Sequence, residues 1–186
     1  MLDMIVQIRR LITRDSRDYW ALRLEAVRLH PEAFLTSFEE ERAFGQETID
    51  GRFQSSWSRP HSWILGAFDG DELVGMIGFF RGEREKARHR AQIWGMYVRS
   101  THRRKGVGRE LLERAVDEMR SWPGVIKATL SVVTENEPAK SLYRDVGFEL
   151  YGTDRKAMAL GERFLDEHLM VLWLDPRYSD GQSSTT

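Results

Sequence analysis

No cysteine occurs anywhere in the 186 residues. That excludes disulfides, thiolate metal sites and any covalent intermediate carried on a thiol. No histidine pair has ligand spacing, so no metal is expected. Apolar runs of about 18 residues are also missing, and no membrane span is expected. Charge of one sign is not in excess, since 28 Lys and Arg stand against 29 Asp and Glu for a formal net charge of −1. A chain so balanced has no general basic field for nucleic acid. The start, Met1-Leu2-Asp3-Met4, carries an acid and no charged-then-apolar pattern. No export signal is therefore expected, and the chain is expected in the cytoplasm. What is present, 41% hydrophobic and 31% charged residues, is ordinary for a globular protein with room for one domain and a substantial core.

The most informative stretch is residues 91–119. Residues 93–98 form an apolar run with aromatic and β-branched members, which predicts a buried strand. A basic loop, residues 99–105, leads to Gly106-Val107-Gly108. Apolar residues then recur at Leu111, Leu112, Ala115, Val116 and Met119, the pattern of a helix with one face in a core. The first turn of such a helix has backbone N–H groups without partners and the positive end of the dipole. Glycines let an anion approach the backbone, and Arg103, Arg104, Lys105 and Arg109 add charge. The combination predicts a site for a polyphosphate or pyrophosphate group. It is not a P-loop, because Arg109-Glu110 follows Gly108. It is not a Rossmann fingerprint either, because Leu111 stands where the third glycine belongs.

Around this stretch the elements follow in order. Residues 5–12 read as a strand. Asp15 or Ser16 can cap a helix to about residue 30, with Tyr19, Leu22, Ala26 and Leu29 on one stripe. Residues 31–59 read as one or two helices, with Ser37 ahead of Glu40 and with Ile49, Phe53 and Trp57 at helical spacing. Asp69-Gly70-Asp71 joins strands 62–68 and 72–80 as a hairpin. Residues 82–90 are a charged surface turn. Residues 125–133 are a strand, 136–145 a short helix, and 148–151, 155–160 and 164–174 late strands. The tail, residues 175–186, is rich in Ser, Asp, Gly and Thr and is expected to be disordered. The apolar last strand is a candidate homodimer surface. The strands before and after the Gly108 helix should be parallel, which makes the sheet mixed.

Residues 136–148 supply a second pattern, Asn136-x-x-Ala139-x-x-Leu142-Tyr143-x-x-x-Gly147-Phe148. On a helix, positions 136, 139, 140 and 143 share one face, so Asn136, Lys140 and Tyr143 could point at a common ligand. Arg103-x-x-Gly106-x-Gly108 followed by this pattern resembles the two signatures of the GNAT N-acetyltransferase superfamily, strongly over residues 91–148. The resemblance implies a single-domain α/β fold over residues 1–174. Its mixed, mostly antiparallel twisted sheet would have six to seven strands, with parallel, splayed strands 4 and 5, flanked by helices. It implies acetyl-CoA as cosubstrate, its pyrophosphate on Arg103, Arg104, Lys105, Gly106, Val107, Gly108 and Arg109. The pantetheine arm would pair with strand 4 at Met96, Tyr97 and Val98. Asn136 and Ala139 would lie along the arm, and Lys140 would reach a phosphate. Tyr143 would protonate the leaving thiolate, and the acceptor would be a small-molecule or peptide amine.

Such chemistry needs a neutral amine, and a lysine-like amine is neutral only about one part in 10³ at pH 7. It also needs an oxyanion donor, which a strand 4 amide near Tyr97 and Val98 could supply. The base is not legible, because the acid that many superfamily members carry on strand 4 is absent from residues 92–97. Candidates elsewhere are Glu39, Glu40, Glu41, Glu135 and the cluster Asp166-Glu167-His168. Phe34, Phe38 and Phe44 are candidates for the acceptor pocket. Without cysteine, transfer must be direct. Two other readings remain, a non-catalytic acyl-CoA-binding regulatory module and a nucleic-acid-binding basic helix at residues 99–109. The neutral net charge and the acidic outer face of the helix disfavour the latter.

Overall fold

In the computed structural model, residues 6–58 and 60–179 are described, the side chains of 55–58 excepted. Ile5 and the Trp57 side chain, both in the readings above, lie outside the described residues. Seven strands form one sheet in the order β1-β2-β3-β4-β5-β7-β6. They are β1 (Val6–Arg10), β2 (Ser62–Asp69), β3 (Glu72–Arg81), β4 (Arg90–Val98), β5 (Lys127–Val133), β6 (Glu149–Leu160) and β7 (Arg163–Trp173). The helices are α1 (Ser16–Leu29), α2 (Phe38–Arg42), α3 (Gln46–Ser58), α4 (Val107–Arg120) and α5 (Glu137–Val146). All pairings are antiparallel except β4 with β5.

Side-chain alternation along the strands feeds two buried clusters. One gathers Val107, Leu111, Leu112, Ala115, Val116 and Met119 of α4 with Tyr143 and Phe148. The other gathers Leu22, Ala26 and Val27 of α1 with Ile49 and Phe53 of α3. The α4 stripe is the one its sequence period predicts. In α1 the expected stripe is displaced, for Leu29 is 55% exposed while Arg23 is buried. Among the described residues no helix is long and apolar enough to cross a membrane.

Local chemistry sets the element ends. Ser37 and Glu40 form a capping box on α2, the Ser37 hydroxyl accepting from the Glu40 amide at 3.2 Å and the Glu40 carboxylate from the Ser37 amide at 2.7 Å. Gly70, at φ +59°, makes the β2–β3 turn. Asp15 precedes α1 but does not cap it. Its carboxylate accepts instead from Arg9 at 2.6 and 2.9 Å and from the Ile12 amide at 2.7 Å. Burial pushes the Asp15 carboxyl up, but the Arg9 and Ile12 hydrogen bonds outweigh it and hold the group below the usual range. With the folded value below the unfolded one, the stabilisation is complete above about pH 3.9 and disappears as pH falls through the folded value. Thermal melts should therefore show a Tm gap between wild type and Asp15→Asn that is wide at pH 7 and closes below about pH 4.

Two expectations are corrected. The late segments 148–151 and 155–160 are one strand, β6, whose register against β7 shifts between Leu150 and Gly152 and again between Asp154 and Met158. The second irregularity holds Lys156 at φ +55°, and its amide bonds to the Asp166 carboxylate at 2.8 Å. These bulges break the periodicity without breaking the strand. The last strand, β7, is paired on both sides by β5 and β6, so only its face, not its edge, is open to a second copy. The tail begins in order, with a one-turn helix at Pro176–Tyr178 whose Arg177 amide is capped by Asp175 at 3.1 Å. Residues 180–186 lie outside the described residues.

Candidate active site

β4 and β5 are joined only at Arg90–Lys127, Ala91–Ala128 and Gln92–Thr129. Beyond Gln92 the two strands diverge, each still paired to its other neighbour, and a wedge opens at the middle of the sheet. Opposite the wedge, β4 carries one extra residue against β3, with the register passing from Gly78–Trp94 to Met76–Tyr97. Gly95, at φ +63°, takes up this bulge, a backbone conformation that L side chains resist.

Met96, just past the bulge, packs against the α4 cluster. The Tyr143 hydroxyl lies 3.9 Å from its sulfur, and the Tyr143 ring meets Phe148 edge-on at 6.0 Å. Burial pushes the Tyr143 phenol up to about 12. It is a neutral proton donor whose only hydrogen-bond partner among the described residues is a weak thioether acceptor.

The other end of the site is the start of α4. Gly106 occupies the N-cap in the left-handed conformation at φ +85°, and no side chain caps the helix. Its first-turn amides are open to an anion. Arg104 and Lys105 are exposed beside it. The two other basic residues are committed elsewhere. Arg103 donates through Nε to the Val98 carbonyl at 2.8 Å and through Nη2 to His30 Nε2 at 2.8 Å. Arg109 pairs with Asp145 at 2.8 Å, tying α4 to α5. A Cβ at Gly108 would meet Leu142 and Met96 at 3.4 Å, so the helix start sits close on β4.

In α5 the expected convergence is partial. Tyr143 reaches the wedge. Asn136 caps α5, its side-chain oxygen accepting from the Ala139 amide at 3.2 Å, and Ala139 packs against the core. Lys140 is buried, with Nζ 2.5 Å from both the Thr134 carbonyl and Glu137. Two protein acceptors thus already hold its ammonium.

Across the sheet lies a cavity of about 340 Å³ lined by Phe34, Thr36, Phe38, Glu39, Met158 and Leu160, among others. Two of the three phenylalanines singled out from the sequence are there. The third, Phe44, lies under the Arg52 guanidinium at 3.8 Å.

The sequence profile of the Acetyltransferase (GNAT) family matches residues 19–148. The chain belongs to the GNAT acetyltransferase family. L-amino acid N-acetyltransferase AaaT of Escherichia coli is 26% identical over 159 residues, covering 84% of this chain and 93% of AaaT. L-amino acid N-acyltransferase MnaT of the same organism is 31% identical over 143 residues, 72% of this chain and 80% of MnaT. The solved structure of yncA from Salmonella typhimurium with its cofactor acetyl-CoA superposes with a TM-score of 0.80 at 22% identity, covering 92% and 95% of the two chains, which shows the fold. Membership of the family makes the chain an acetyltransferase. The diverging strands, uncapped α4 and adjacent free cations fit an elongated anionic thioester.

In the GNAT frame most base candidates have structural partners. Glu40 caps α2, and the Ser37 amide and hydroxyl hold its carboxyl below the usual range. Glu41 is buried against Arg23 at 3.0 Å. Glu135 faces Arg163 at 3.4 Å, Asp166 bonds the Lys156 amide, and His168 Nδ1 lies 3.1 Å from the Thr153 hydroxyl. Glu167 sits opposite Val133 and Asp154 in the ladders. Glu39 lines the cavity. Sequence reasoning missed Glu25, which accepts from Tyr97 at 3.0 Å and Arg99 at 3.0 Å and ties α1 to the end of β4. No group of three metal-ligating side chains exists among the described residues.

Proposed function

We propose that this GNAT enzyme transfers acetyl directly from acetyl-CoA to a small free amine, with Tyr143 as the acid for the leaving thiolate. The single observation that carries this reading is the buried Tyr143 hydroxyl, kept protonated by its burial, beside Met96 at the wedge. The thioester supplies the activated acyl group. The amides of Gly106, Val107 and Gly108, with Arg104 and Lys105, bind the diphosphate. Arg103 and Arg109 act one step back, the first holding the end of β4 through Val98 and the second fixing α4 against α5. The β4 backbone at Met96, Tyr97 and Val98 orients the pantetheine amides as a neighbouring strand would and offers a donor to the oxyanion. Asn136 and Ala139 bound the arm at the head of α5. The acceptor enters from the Phe34 side. The names of AaaT and MnaT, relatives that span most of this chain, support a small free amine.

With no cysteine to carry the acetyl group as an enzyme thioester, both substrates are expected to be bound together. Initial rates of thiol release over an amine panel should give intersecting double-reciprocal lines. Parallel lines would contradict direct transfer, and coenzyme A binding without thiol release would favour a regulatory module.

A further inference from the structure

Arg23 of α1 is a buried cation whose environment is incomplete. It is 9% exposed. Its Nε donates to Glu41 at 3.0 Å and its Nη2 to the Thr36 hydroxyl at 3.0 Å, and that hydroxyl donates to the same Glu41 oxygen at 2.9 Å. The guanidinium lies over the Phe34 ring at 4.6 Å. Two hydrogen bonds and a stacked ring fix its plane. The third nitrogen, Nη1, is buried and has no hydrogen-bond partner. It is aimed at the β4 bulge, where a Cβ on Gly95 would lie 3.3 Å from it. One turn earlier on the same helix face, Trp20 Nε1 is another buried donor with no acceptor.

Buried donors are nearly always satisfied in a folded protein, so an unmet guanidinium N–H marks a place where a ligand oxygen belongs. The oxygen that suits a guanidinium edge best is a carboxylate's. Arg23 and Glu41 neutralise each other, so the site favours a ligand with no net charge over a bare anion. An α-amino acid meets both demands. Its nitrogen lies within roughly 3 Å of its nearer carboxylate oxygen, given ordinary bond lengths. A carboxylate on Nη1 therefore holds the amine level with the bulge, whereas an amine on a longer tether overshoots it. Phe34 and Thr36 are shared with the 340 Å³ cavity, whose Phe38, Met158 and Leu160 offer apolar walls to a side chain. The loop between α1 and α2 that carries both residues must yield to admit it.

We propose that Arg23 reads the carboxylate of the acceptor, which makes the acceptor an α-amino acid with an apolar side chain. This rests on the transferase reading above. Thiol release should be compared for L-leucine, L-leucinamide and isopentylamine, each rate corrected for the neutral fraction of its amine. Leucine should exceed both carboxylate-free analogues in kcat/KM by about 100-fold or more. In Arg23→Lys a cation stays beside Glu41 but the fork is gone, and the preference should shrink by about ten-fold or more. Arg23→Gln combined with Glu41→Gln removes the buried pair together, guards against a folding defect in the first variant, and should abolish the preference. Equal use of the three amines by wild type, or a preference that survives both variants, overturns the assignment. Thiol release with some other amine but with none of leucine, methionine and phenylalanine overturns it and leaves the transferase standing. If no amine releases thiol, the transferase reading fails, and calorimetry of the coenzyme A-loaded protein decides the carboxylate site. Heat with leucine and none with isopentylamine upholds it, and no heat with leucine overturns it.

Discussion

Tyr143→Phe is expected to lower turnover about ten-fold or more while coenzyme A binding, read by calorimetry, is retained. The ring keeps its edge contact with Phe148, so packing survives the change. What is lost is one proton. The phenol is buried, and its desolvation favours the neutral form up to about pH 12. Its one hydrogen-bond partner among the described residues is the Met96 sulfur at 3.9 Å, a weak competitor for that proton. That O–H can hydrogen-bond the sulfur as its bond to the acyl carbon breaks, and a proton passed to the sulfur is made good by the one the acceptor amine sheds, so the phenol is restored. Because Tyr143 does not titrate between pH 6 and 10, the pH–rate curves of wild type and variant should share one shape over that range and differ in height. An unchanged turnover would remove Tyr143 from the chemistry.

Gly106→Val is expected to weaken coenzyme A binding about ten-fold or more and to lower Tm by about 2–8 °C. Gly106 stands at φ +85°, and a β-branched residue there costs about 1–2 kcal/mol. A Cβ at that position would meet nothing within 4 Å, so no clash inside the protein accompanies the strain. The chain relieves the strain by rotating the first turn of α4, which turns its amides away from the diphosphate. Gly108→Ala is the contrast. Its Cβ would sit at ordinary contact distance, 3.4 Å, from Leu142 and Met96, and binding should change little. Equal effects of the two substitutions on binding would remove the α4 amides from the diphosphate site.

The element order, the parallel pairing of β4 with β5 and both signatures were legible because they rest on backbone demands. A left-handed residue at Gly106 or Gly147 asks for glycine, and the α4 stripe repeats at the helical period. Side-chain direction was less legible. Arg103, Arg109 and Lys140 read as ligand cations, yet their partners are the Val98 carbonyl, Asp145 and the Thr134 carbonyl, which only the fold brings near. The late strands were split because a bulge destroys a period of two just as a loop does. Arg23 escaped notice because an arginine on a helix reads as solvated. The signal was its place, three and four residues before Ala26 and Val27, on the stripe that is buried.

The seven strands amount to two plates, four on one side and three on the other, sharing a seam of three rungs. Below the last rung nothing of the sheet itself bridges the plates, and only the helices packed behind them keep the halves in line. A bound thioester thus does more than occupy a slot. Bound as proposed, it would supply the missing crosspieces, and the protein would be most firmly closed along its midline with both reactants inside.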